Sequence, residues 1–178
     1  SVLKKLKNYI LPQDEHNLAF DFDFIGLQCY TREVVKASLL IPYIGAELVS
    51  AEKRNVIATD MGWEVFPAAL YHMIKKFNSY EGIKKIIITE NGAAFPDVVS
   101  NGKIHDIKRT HFLQDNLEQL LRAKSEGHNV DGYFVWTLTD NFEWAEGYNA
   151  RFGLIHVDFE TQKRTIKNSG LWFRDFLA

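Results

Sequence analysis

One cysteine, Cys29, occurs in the whole sequence. A lone thiol excludes an internal disulfide framework and fits a reducing compartment, so a cytoplasmic location is expected. Prolines number four, and no linker or low-complexity segment interrupts the chain. No apolar run approaches the roughly 20 residues that a membrane-spanning helix needs, so no membrane partner is expected. Neither charge sign dominates: 21 Lys and Arg against 23 Asp and Glu leave a formal net charge of −2. Without a polybasic block, nucleic acid and anionic surfaces are poor partners. A Gly-rich phosphate loop of either standard spacing is absent, as is a signal-peptide pattern. The first residue is Ser1 and not Met, which reads as a processed or excised piece.

What remains is globular. The 178 residues are 46% hydrophobic and 25% charged, which suits one domain over 1–178 with a sizeable core. "FDFDFIGLQCY" (20–30) predicts a strand around Phe24 to Tyr30. The stretch from Thr31 to about Gly62 reads as irregular. Phe66, Ala69, Leu70, Met73, Ile74 and Phe77 make one apolar helix stripe, with Pro67 tolerable in its first turn. "KKIIIT" (84–89) is a β-branched run of the kind buried on both faces of a parallel sheet. The spacing then predicts a helix over Ile107 to Ser125, ended by Gly127, and a third strand at 132–138. "FGLIHVDFETQKRTIK" reads as a hairpin turning near Thr161, and a last helix starts with Asn168 or Ser169 as cap. Alternating strand and helix argue for an α/β fold with parallel strands, whose chemistry sits at the carboxyl ends of strands.

Those ends gather an unusual set: Gln28-Cys29-Tyr30, Thr89-Glu90-Asn91, and Thr137 to Trp144. Glu90 could be a first-turn acid of a helix, but "NGAAFPD" is a poor helix start, so a catalytic role is favoured. Asp140, Glu143 and Glu146 form an acidic cluster that could hold a cation. Trp136, Phe142 and Trp144 interleave it, which suits stacking on a sugar ring better than a metal. The six histidines are scattered without ligand spacing, and Cys29 reads as a small buried hydrophobe. Two carboxylates flanking a glycosidic bond hydrolyse it, about 5–5.5 Å apart in retaining enzymes and farther apart in inverting ones. From position alone the pair is Glu90 with Glu143.

"ITENGAAF" (88–95) resembles the nucleophile motif of the glycoside hydrolase family 1 β-glucosidases. The likeness continues through "MGWEVFP" (61–67), "DGYFVWTLTDNFEWAEGY" (131–148) and "RFGLIHVDFETQKRTIKNSG" (151–170). "DFIGLQCYTR" (23–32) is similar to that family's Asp-Phe-hydrophobic-Gly-hydrophobic-Asn-Tyr-Tyr-Thr segment. The resemblance implies part of a (β/α)8 TIM barrel, roughly strands six to eight, and a retaining mechanism without metal or cofactor. It implies Glu90 as nucleophile and Tyr30 as the group that orients it. Glu143 becomes a sugar-hydroxyl binder, which corrects the positional pair. Trp136 and Trp144 become floor and wall of the sugar subsite, Trp63 the aromatic at its entrance, and Phe152 a further wall. Gln28 stands where the family has Asn, one methylene longer, and Cys29 where it has Tyr.

The family's Asn-Glu-Pro motif, which carries the general acid/base, does not occur in these residues. The chain therefore resembles a C-terminal portion, about the last 40% of the barrel. The expected partners are a β-glucoside and either the N-terminal portion of the barrel or a second copy joined through open sheet edges. By itself the chain is expected to be a weak sugar binder, an inert fragment or a barrel module.

Overall fold

A computed structural model describes residues 9–18 and 20–178; Ser1 lies outside them. The chain opens with a short helix α1 (Asp14–Leu18) and strand β1 (Ile25–Gln28). An antiparallel pair follows, β2 (Val35–Ala37) with β3 (Ala46–Leu48), and then a 3-10 turn at Glu52–Arg54. Helix α2 (Ala68–Asn78) leads to β4 (Ile86–Asn91). A second hairpin joins β5 (Val98–Ser100) to β6 (Lys103–His105), ahead of the long helix α3 (Ile107–Ser125). Strand β7 (Val130–Val135) precedes a 3-10 turn at Trp144–Glu146. The hairpin of β8 (Ile155–Val157) and β9 (Arg164–Ile166) and the helix α4 (Asn168–Leu177) complete the chain. Among the described residues no helix is long and apolar enough to cross a membrane.

The central sheet has the order β1-β4-β7, all parallel. Helices α2 and α3 lie across one face. Leu70 and Ile74 of α2, with Leu120 and Ala123 of α3, pack onto Leu27, Ile86, Ile88 and Val130. That cluster follows directly from the i, i+3, i+4 stripe on α2 and the alternation along β4. Ile86 and Ile88 are fully buried, whereas Ile87 between them is only partly covered. Phe134 on β7 is 60% exposed. The run expected to be buried on both faces is thus covered on one. Its other face points to space that no described residue fills.

The remaining differences from expectation have local causes. The stretch 31–62 holds a hairpin, β2 with β3, across which Lys36 and Glu47 pair at 2.8 Å; strands so short and exposed show no periodicity. Asn101 and Gly102 take positive φ (51° and 71°), the turn pair that closes the β5–β6 hairpin. Strand β4 runs two residues beyond "KKIIIT" and so includes Glu90 and Asn91. Strand β7 ends three residues earlier than its aromatic run; the Trp136 amide still bonds to β4 at Asn91 O, and the chain then turns away. The helix caps expected at Asn168 or Ser169 are absent: Lys167 holds the N-cap position without a side-chain cap. Ser169 instead donates through its amide and its hydroxyl to Asp106 (2.9 and 2.5 Å).

That contact belongs to a buried ion network. Arg109, 1% exposed, donates to Asp106 at 2.5 Å and to Asp97 at 3.1 Å, and also to the carbonyls of Ala93, Phe95 and Arg151. The Lys167 ammonium, fully buried, lies 2.8 Å from both Asp97 Oδ2 and Asp140 Oδ1. Arg151 donates to the other Asp140 oxygen at 2.9 Å. Three cations thus meet three anions: Arg109 and Lys167 from the dry interior, where charges must be paired, and Arg151 from its partly exposed edge. The network joins the loop after β4, the start of α3, the loop after β7 and the start of α4. Asp97, Asp140 and His156 also approach one another closely enough for a metal. Lys167 already supplies the positive charge there. Asp140 is thereby drawn away from Glu143 and Glu146, so the acidic cluster expected from sequence does not form.

Lys167→Met is expected to strand Asp97 and Asp140 in the interior and cost about 3–5 kcal/mol, read from urea unfolding. Burial alone would raise the Asp140 carboxyl, but the Lys167 charge and the bonds from Lys167, Arg151 and the Gly153 amide together hold it below its ordinary range. A carboxyl lowered by folding contributes stability that is complete above its unfolded pKa, about 3.9, and is lost as pH falls through the folded value. The urea midpoint is therefore expected to decline below about pH 4.

Candidate active site

Glu90 is the fifth residue of β4 and projects at the strand's carboxyl end. Beside it, on β1's continuation, the Tyr30 hydroxyl donates to Glu90 Oε2 at 2.5 Å. Burial, then the bond to Glu90 and the charges of Glu90 and Glu143, push the Tyr30 phenol far up. The hydroxyl therefore remains a donor across the physiological range, and one carboxylate oxygen is permanently engaged. The second oxygen carries no protein hydrogen bond among the described residues.

Around this pair lies a cavity of about 400 Å³ lined by Gln28, Tyr30, Trp63, Glu90, Trp136, Glu143, Trp144 and Phe152. All eight residues singled out from the sequence therefore meet in one place. They come from four separate segments: the end of β1, the turn before α2, the end of β4, and the loop between β7 and β8. Glu143 accepts from Trp136 Nε1 at 3.3 Å, so an indole and a carboxylate present one polar edge together. Trp144 stands 83% exposed at the rim. Phe152 is 3% exposed and acts from beneath. Its ring meets Tyr30 edge-on at 6.3 Å and Trp63 at 6.1 Å, while Tyr30 and Trp63 lie 5.4 Å apart. This aromatic triangle fixes the phenol that holds Glu90.

Several supporting residues have no signal in the pattern of the chain. Glu64 is buried and receives Arg32 through two bonds of 2.9 Å and Arg54 at 2.7 Å. The bond from Arg32, above all, holds the Glu64 carboxyl below its ordinary range. Thr31 Oγ1 donates to Glu64 O at 2.9 Å, so this cluster pins the strand end carrying Tyr30 to the turn carrying Trp63. Cys29 is buried, and its thiol is pushed up to about 11 by that burial, which leaves it unreactive at neutral pH. Gly92 admits a close approach: a Cβ there would lie 1.9 Å from Trp136 O. The Trp136–Thr137 peptide is cis.

The strand-end carboxylate, its tyrosine and the indoles thus share one cleft. The glycosyl hydrolase family 1 model matches residues 3–178, and the chain belongs to that family. Beta-glucosidase A of Thermotoga maritima is 45% identical over 177 residues, covering 97% of this chain and 39% of that protein. A 6-phospho-beta-galactosidase of Clostridium acetobutylicum is 45% identical over 171 residues, covering 85% of this chain and 35% of the relative. Among solved structures, the Thermotoga maritima beta-glucosidase in complex with noeuromycin superposes with a TM-score of 0.89 at 39% identity, covering 99% of this chain and 40% of that one. The chain thus spans well under half the length of the relatives it matches.

Gly92→Ala would drive its methyl into the backbone carbonyl of Trp136, which cannot swing aside as a flexible side chain would. The expected cost is about 1–3 kcal/mol or more, with altered tryptophan emission from the cleft. An unchanged melting temperature would show that the β4 and β7 loops can part freely.

Proposed function

We propose that this chain supplies the nucleophile side of a retaining β-glycosidase acting on β-glucosides or closely related sugars. Glu90 is the nucleophile. With Oε2 held by Tyr30, Oε1 attacks the anomeric carbon as the bond to the leaving oxygen breaks. The proton for that oxygen comes from an acid outside these 178 residues. Water then hydrolyses the glycosyl ester and frees Glu90. Glu143 and Trp136 Nε1 hold sugar hydroxyls, Trp136 and Trp144 stack against the ring, Gln28 contributes an amide, and Trp63 guards the leaving-group side. The observation that carries the reading is the 2.5 Å bond between Tyr30 and Glu90 inside the indole-lined cleft. The step as proposed uses no metal and no cofactor.

The three parallel strands are read as strands six to eight of a (β/α)8 barrel. A groove of about 700 Å³ runs along the free side of β1, between Gln28–Glu33 and Phe66, His72 and Met73 of the α2 region. The N-terminal portion of the barrel, which carries the acid/base on an earlier strand, is its proposed occupant; a second copy of the chain is the competing one. General acid catalysis contributes about 10²–10⁴-fold, so turnover of natural disaccharides is proposed for the completed barrel.

An activated 2-deoxy-2-fluoro-glucoside is expected to label Glu90 in the completed barrel, adding one sugar by mass spectrometry. Label on any other residue refutes the nucleophile assignment.

A further inference from the structure

We infer that Asn91 is a positioning residue for the Tyr30–Glu90 pair, its buried amide tying together the ends of β1, β4 and β7. The inference rests on Glu90 as nucleophile. It begins with register. Leu27 pairs with Ile88, but Gln28 pairs with Glu90, so β4 carries one extra residue against β1. On the other side Ile88 pairs with Tyr133 and Asn91 with Val135, again one extra residue on β4. A bulge therefore sits at Thr89–Glu90 and interrupts both ladders just where the carboxylate is presented. Such bulges re-aim a side chain and leave backbone groups to be satisfied by other means.

Asn91 supplies those means. It is fully buried, and its Nδ2 donates to Cys29 O at 2.6 Å. Its Oδ1 accepts from the Tyr133 hydroxyl at 2.5 Å. A carbonyl can only accept, so the amide has one possible orientation between these partners. Burial pushes the Tyr133 phenol up, which keeps it a donor. The Asn91 backbone oxygen also receives the Trp136 amide at 2.9 Å.

Cys29 is consequently held on both sides. Its N–H donates to Glu90 O at 2.9 Å, and its carbonyl receives Asn91. That carbonyl belongs to the peptide unit leading into Tyr30, so the amide sets the plane from which the Tyr30 ring departs. No other residue type fits all the demands. Aspartate lacks the donor for Cys29 O, serine is too short to reach both partners, and glutamine is one methylene too long.

The test uses the completed barrel and an activated 2-deoxy-2-fluoro-glucoside, reading the rate of Glu90 labelling in a double-mutant cycle. Asn91→Ala is expected to slow labelling by about 10²-fold, the scale of a 1 Å misplacement. In a Tyr30→Phe background the same substitution is expected to add little, because residues acting through one another are non-additive. Equal slowing in both backgrounds overturns the inference and leaves Asn91 a general structural residue. Should Asn91→Ala not fold, Tyr133→Phe enters the same cycle; it keeps the amide but frees its oxygen. Coupling to Tyr30 then supports the inference, and its absence overturns it. Failure of the unsubstituted protein to label Glu90 refutes the nucleophile assignment instead, which separates the two ideas.

Discussion

Three cations, the buried Arg109 and Lys167 and the partly exposed Arg151, neutralise three carboxylates with buried side chains, Asp97, Asp106 and Asp140, and the loops that build the cleft hang from this balance. None of these groups lines the cavity. They hold the segments that do. Arg109 gathers the carbonyls after β4, while Asp140 receives the Gly153 amide at 2.9 Å beneath the loop bearing Trp144. Removing both members of a buried pair can be nearly neutral, but removing one leaves a charge without solvent or partner. Burial and the charge of Arg109 push the Lys167 ammonium down, against the pull of Asp97 and Asp140. The network is therefore expensive to assemble, and it fixes one arrangement of the loops above the sheet.

The cleft depends on a second, smaller set of constraints. Parallel strands bring Glu90 and the β1 end side by side, but the 2.5 Å approach of Tyr30 needs more than pairing. Trp63 and Phe152 restrict the ring, and the Arg32–Glu64–Arg54 cluster restrains the chain beyond it. Gly92 lets the β4 loop press against Trp136 O. The Glu90 side of the cleft is thus built by packing and polar contacts within this chain. The face of the sheet opposite α2 and α3 is left uncovered, and the groove along β1 stays open. Both features accord with a chain spanning roughly two fifths of the length of its relatives.

Much of the fold was legible because its signals are local. The stripe Leu70–Ile74, the boundaries of α3 and the run Ile86–Ile88 each state a period that only one element satisfies. Asn101-Gly102 announces a turn by its tolerance of positive φ, though the short β5 and β6 strands around it carried no period. The β2–β3 hairpin has no periodic signal for the same reason. Its strands are three residues long and its pairing is exposed. The cap at Asn168 or Ser169 failed differently. Ser169 has the right chemistry for a cap, but Asp106, 63 residues away in sequence, competes for its amide and hydroxyl.

The sequence by itself determined which residues sit at strand ends: a carboxylate, a tyrosine and indoles after β-branched runs, with motifs that match one family. Alternation and periodicity are encoded between near neighbours, so they survive without a third dimension. Only the tertiary structure decided which acids share a site. Asp140 and Glu143 are three residues apart, yet one joins Lys167 and Arg151 in the interior while the other meets Trp136 at the cleft. Likewise, Asn91 reads in the sequence as the residue before a turn. Its burial beneath Cys29 and Tyr133 arises from a bulge, and a bulge exists only once strands pair. Contacts of that kind depend on register and long-range charge balance, which no stretch of chain carries on its own.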